Sequence, residues 1–82
     1  MAEIKNVWIV VSRDPSSLQV IDSHVYDNKD QALNDARESV ASDVPTDVIH
    51  NGRVVAYGVY DPDTGEPNLD IDQEEMDLSE KV

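Results

Sequence analysis

The apolar positions of this chain change period along its length. In "IKNVWIVVS", Ile4 to Ser12, valine and isoleucine dominate and Trp8 adds a large aromatic surface. A short β-branched run bounded by turn residues predicts a strand. Val7, Ile9 and Val11 fall on one face of it, Trp8 and Val10 on the other, as the twofold period of a strand requires. "RDPSS", Arg13 to Ser17, is turn chemistry: Pro15 presets φ, and Asp14 and Ser16 bond nearby backbone. "LQVIDSHVY", Leu18 to Tyr26, predicts a second strand antiparallel to the first. Regular alternation there groups Ile21 with Val25, and Leu18, Val20, His24 and Tyr26 opposite.

From Asp27 to Val44 the period becomes helical. Leu33, Ala36, Val40 and Val44 form a stripe that Ala32 widens. Asp27 or Asn28 suits the N-cap, Asp30 favours the positive end of the helix dipole, and Pro45 stops the run. The helix is expected over residues 28–42. In "DVIHNGRVVAYGVY", Asp47 to Tyr60, Asn51-Gly52 between two β-rich runs predicts a two-residue type I′ hairpin. Regular alternation on its second arm groups Val55, Tyr57 and Val59, with Val54, Ala56, Gly58 and Tyr60 opposite. Gly58 marks a bulge or a close approach to the helix.

The expected fold class is therefore α+β. It is a single small domain with a ββαββ antiparallel sheet over residues 1–60, one helix on one face, and an acidic C-terminal segment over 61–82. A sheet with one uncovered face offers a binding surface or a homodimer interface. Trp8, Tyr57 and Tyr60 are the aromatic candidates for that face.

Charge changes the picture of the last quarter. The chain has 82 residues, 18 acids and 6 bases, a formal net charge of −12. Residues 61–82 hold 9 acids and 1 base, a net −8, so residues 1–60 hold 9 acids and 5 bases, a net −4. This segment is expected either as an edge strand or as a disordered tail. Leu69 and Ile71 alternate like a strand over Asn68 to Asp72, guarded by Asp70 and Asp72. Met76, Leu78 and Val82 offer further apolar contacts.

The same charge narrows the function. A chain so acidic repels nucleic acid and anionic membranes and attracts basic protein surfaces. There is no cysteine, which excludes disulfides, thiolate metal sites and thiol nucleophiles. The N-terminus lacks a basic region followed by an apolar core, and no apolar run approaches the roughly 20 residues of a membrane span. A soluble, cytoplasmic protein is expected. His24 and His50 fall in strands and are expected as partly exposed strand residues. No serine sits in a nucleophile setting, so no catalytic residue is assigned. Asp61-Pro62-Asp63-Thr64-Gly65 has the first two acids of a calcium loop, but Gly65 stands where a third oxygen ligand belongs and Pro67 interrupts the helix that should follow. It is expected as a turn, with no cofactor or metal.

In size, acidity, lack of cysteine and compact α+β order, the chain resembles small acidic inhibitors encoded by bacteriophages and mobile elements, the anti-CRISPR and DNA-mimic type. The resemblance spans the whole chain through composition and layout, without a shared motif. It implies a non-enzymatic inhibitor that docks on a host nuclease or CRISPR effector complex and blocks nucleic-acid access. Charge and position alone select the contact residues: Asp30, Asp35, Glu38, Asp70, Asp72, Glu74, Glu75 and Asp77, with Trp8, Tyr57 and Tyr60 as apolar anchors. The alternatives are a general protein–protein adaptor whose acidity reflects a high-salt environment, and a weak calcium-binding module.

Overall fold

A computed structural model describes residues 7–81. The element order is β1 (Trp8–Arg13), β2 (Val20–Tyr26), α1 (Lys29–Ala41), β3 (Thr46–His50), β4 (Arg53–Asp61), β5 (Glu66–Ile71) and α2 (Gln73–Glu80). The part of the predicted first strand over 4–6, and Val82, lie outside the described residues.

The fold class is α+β, but the sheet has five strands in the order β2-β1-β3-β4-β5, every neighbouring pair antiparallel. The acidic segment is where expectation and structure part. It supplies β5, which extends the sheet from β4, and a second helix that packs on the core through Met76. Among the described residues two helices, not one, therefore accompany the sheet. Asp61-Pro62-Asp63-Thr64-Gly65 is the tight turn between β4 and β5. Asp61 Oδ1 accepts the Asp63 N–H at 2.9 Å, and the Gly65 N–H donates to the Asp61 carbonyl at 2.8 Å. A strand follows directly, so the helix-flanked setting of a calcium loop is not there.

α1 begins where side-chain chemistry allows: Asn28 caps it, its side-chain oxygen accepting the Gln31 N–H at 3.1 Å. Its buried stripe is Ala32, Leu33, Ala36 and Val40, with Val44 already beyond the last turn. β2 and β3 are each antiparallel to β1, so α1 carries the chain between two strands that run the same way on either side of β1. That crossover seats α1 across the sheet. α2 starts at Asp72, whose carboxylate accepts the Glu75 N–H at 3.2 Å. Trp8, Val10, Val48, Val55 and Ala56 meet Ala32, Leu33, Ala36 and Met76 in one core, so both helices lie on the same face.

Two irregularities alter the predicted alternation. The β3–β4 register shifts between Val48 and Ile49, leaving Val55 as an extra residue on β4. Val55 and Ala56 are both fully buried, whereas Val54 is exposed. Val55 thus leaves Tyr57 and Val59 and joins the core. The β1–β2 register shifts between Ser12 and Arg13, which leaves Ile21 as the extra residue on β2. Ile21 turns toward α1, where it lines a shallow depression with Asp22, Asp35, Glu38 and Ser39.

The Asn51-Gly52 hairpin forms as expected, both residues at positive φ, 51° and 80°. Gly58 marks a close approach, since a methyl there would collide with Val40 Cγ2.

Candidate protein-binding surface

The helical layer carries most of the predicted contact acids, and their surroundings divide them into two groups. Asp35 is tied into the fold. It accepts the Tyr26 hydroxyl proton at 2.6 Å and lies 3.4 Å from His24 Nδ1. Its carboxylate raises the Tyr26 phenol above its ordinary pKa of 10.0, first through that hydrogen bond. Asp72 is the α2 cap. Glu75 takes Arg53 at 2.8 Å, and Asp77 accepts from Gln73 at 3.0 Å one helical turn away. Asp30, Glu38, Asp70 and Glu74 are exposed, and their carboxylates have no hydrogen-bonding or ionic partner among the described residues. Asp30, Glu38 and Glu74 stand on the two helices of one layer. Asp70 lies on β5 opposite Tyr57 of β4.

The aromatic candidates also separate. Trp8 is a core residue, 4% exposed, with its indole stacked on the His50 ring at 3.7 Å and 2° between planes. It cannot anchor a partner. Tyr60 sits at the β4–β5 turn, where its hydroxyl donates to the Gly65 carbonyl at 2.8 Å. Tyr57 alone of the three projects from the open face of the sheet, half exposed.

That open face is more apolar than the pattern led one to expect. Val20 and Val25 of β2 and Val54, Tyr57 and Val59 of β4 are exposed on it, with Ile9 and Ile49 half-buried between them. No described helix covers it. The Arg13 guanidinium meets Asp47 at 3.1 Å on the same face. All seven of these apolar residues fall in strands that the sequence predicts. The exposure of Val54 was not legible, because it depends on the bulge at Val55.

His50 corrects a second expectation, since it is fully buried. Its Nδ1 lies 2.6 Å from Ser79 Oγ, and the Ser79 hydroxyl lies 2.7 Å from the Met76 carbonyl, to which it donates. Ser79 is fully buried too. A histidine beside a serine suggests a base and a nucleophile, but no substrate reaches a sealed pair. Its work is structural. With Asn51 Nδ2 donating to the Ser79 carbonyl at 2.7 Å, it clips α2 to the β3–β4 turn. Burial lowers the His50 pKa, opposed by the Glu80 carboxylate.

Among the described residues no three His, Cys, Asp or Glu side chains are placed to hold a metal ion, and no helix is long and apolar enough to cross a membrane. No protein-family model matches the chain, and no curated protein or solved structure is significantly similar to it.

Proposed function

We propose that the protein is a non-enzymatic inhibitor that binds a basic, nucleic-acid-handling protein through the carboxylates of its helical layer. The observation that carries this reading is the set of exposed, unneutralised acids on two helices that share one face: Asp30, Glu38 and Glu74. Neither helix has a basic residue in its last turn to offset them. Such a layer presents a negative potential to which a nucleic-acid-binding cleft is complementary, and it steers association. The partner class is a nuclease or a CRISPR effector complex, and the blocked step is nucleic-acid access.

The test is affinity capture from a bacterial lysate with the full chain, washed at rising salt, beside Asp30→Lys/Glu38→Lys and Glu74→Lys variants. Asp35 is left intact because it holds Tyr26. A nucleic-acid-binding partner should be captured, should be released by salt, and should bind the charge-reversed chains at least tenfold more weakly. A partner held equally by the reversed chains at high salt would refute the reading.

The apolar open face supports a second reading, an adaptor that docks through Tyr57 with acids only at the rim. In that case Tyr57→Ala weakens capture while the helix reversals leave it unchanged.

A further inference from the structure

We infer that two copies of this chain pair through the outer edge of β2, joining their sheets into one of ten strands. The two edges of the sheet are unlike. β5 carries Glu66, Pro67 and Asp70, residues that discourage pairing. β2, Val20–Tyr26, has no proline and no lysine, and six of its seven residues are exposed. Val20, Ile21 and Val25 are 56%, 58% and 64% exposed. No described strand pairs its outer side.

The strand is also complementary to itself. About Ser23, "VIDSHVY" sets Asp22 against His24, and beyond these the bulge at Ile21 brings Val20 onto the open face that Val25 occupies. A twofold axis through Ser23 therefore brings the Asp22 of one copy opposite the His24 of the other, twice, and leaves the Val25 of one copy and the Val20 of the other on the same open face outside them. An isologous contact requires this kind of self-complementarity. The backbone is oriented to allow it. The Arg13 N–H donates to the Pro45 carbonyl at 2.9 Å, so Ser12 and Val10 turn their backbone groups to Asp22 and His24 of β2 and the Ser23 N–H between them faces away from the sheet, bonded to Asp22 Oδ1 at 2.9 Å. On pairing, that N–H exchanges the carboxylate for the Ser23 carbonyl of the second copy. Asp22 and His24 would then occupy the closely spaced, non-hydrogen-bonded positions on either side of the Ser23 pair. The two residues already meet within one chain, His24 Nε2 lying 3.0 Å from Asp22 Oδ2. Pairing redistributes that contact across the axis. The axis stands perpendicular to the sheet, so both helical layers stay on one side and Val20 and Val25 extend a single apolar face on the other.

This inference is independent of the proposed function, and salt separates them. Two chains of net charge −12 repel, so self-pairing strengthens with salt, whereas binding to a basic partner weakens. Sedimentation equilibrium of the full chain at 1–200 µM (about the range of weak dimers,), at low and high salt, is the test. A dimer is expected, more stable at high salt. Ser23→Pro, which removes the outward N–H, and Val25→Lys, which puts a cation on the edge, should each weaken it at least tenfold while circular dichroism shows an unchanged fold. A monomer under all these conditions would overturn the inference. So would a dimer that survives Val25→Lys in a folded chain, or one that Tyr57→Lys alone abolishes, since that would place the contact on the open face.

Discussion

Gly58 and His50 show how much can rest on one side chain or its absence. Gly58 lets α1 approach β4, because Val40 is fully buried against it. Gly58→Ala should destabilise the protein by about 1–3 kcal/mol through overpacking. Urea unfolding should show Gly58→Ala/Val40→Ala to be less destabilised than the sum of the two single changes, because the smaller residue at 40 makes room for the methyl. His50 gives stability a pH dependence. Burial lowers its pKa below the ordinary 6.5, so the unfolded chain binds this proton more readily than the folded one. Stability is then complete above about pH 6.5, falls as the pH drops through that value toward the folded pKa, and levels off below it. Urea midpoints between pH 7.5 and 5.5 should record the fall. His50→Phe, which keeps a ring against Trp8, should flatten it. Both residues were visible in the sequence in different degrees. Gly58 interrupts a β-branched run and so announces a special contact. Nothing in "DVIHNG" says that His50 is sealed, since its cover comes from Ser79, 29 residues away.

At the level of elements, the main lesson is α2. Its eight residues, "QEEMDLSE", include only two large apolar side chains, and four of the eight are acids. By composition they read as tail. They fold because Asp72 caps them, Met76 enters the core at 3% exposure, and His50, Asn51 and Arg53 hold them from the hairpin. A helix this short gains its stability from tertiary contacts rather than from propensity. Removing it should therefore harm the whole domain. A chain ending at Tyr60 loses β5 and uncovers Val55 and Ala56, and is expected to lose cooperative unfolding followed by Trp8 fluorescence. Met76→Ala, a smaller lesion in the same place, should cost about 2–5 kcal/mol. If the shortened chain unfolded with an undiminished urea midpoint, the packing of α2 would be irrelevant to stability. β1 to β4 and α1 were legible because each carries its own periodic signal, whereas β5 was left between an edge strand and a disordered tail. α1 runs Lys29–Ala41 against an expected 28–42, bounded by Asn28 and by the approach to Pro45.

For the whole molecule, the dominant quantity is charge. At −12 the folded chain carries self-repulsion that salt screens, over a length of about 30 Å at 10 mM and about 10 Å at 0.1 M. Its thermal midpoint should rise between 10 mM and 0.5 M sodium chloride, and the chain should remain folded at the lower salt. Unfolding outright at 10 mM would favour the reading in which the acidity serves a high-salt environment. The ion pairs do little to offset the excess. Arg13–Asp47 and Arg53–Glu75 are partly exposed, and such pairs contribute little.

The sequence by itself determined the strands near the N-terminus, the extent of α1, the type I′ turn and the acid excess, and it narrowed the α1 cap to Asp27 or Asn28 and Gly58 to a bulge or a close approach. All of these follow from spacing within a few residues or from simple counting. Tertiary structure alone decided the rest. A bulge is a mismatch between two strands, so the inward turn of Val55 and the shift of the exposed Ile21 to the α1 side appear only once β3 and β1 are paired beside them. Burial is set by neighbours distant in the chain, which is why Trp8 and His50 went inside and Val54 stayed out. The same holds for the carboxylates. Eight look alike in the sequence, yet Asp35, Asp72, Glu75 and Asp77 are occupied within the fold, while Asp30, Glu38, Asp70 and Glu74 remain available. A side chain's type is local information, but its freedom to bind a partner depends on what the fold brings within about 3 Å of it.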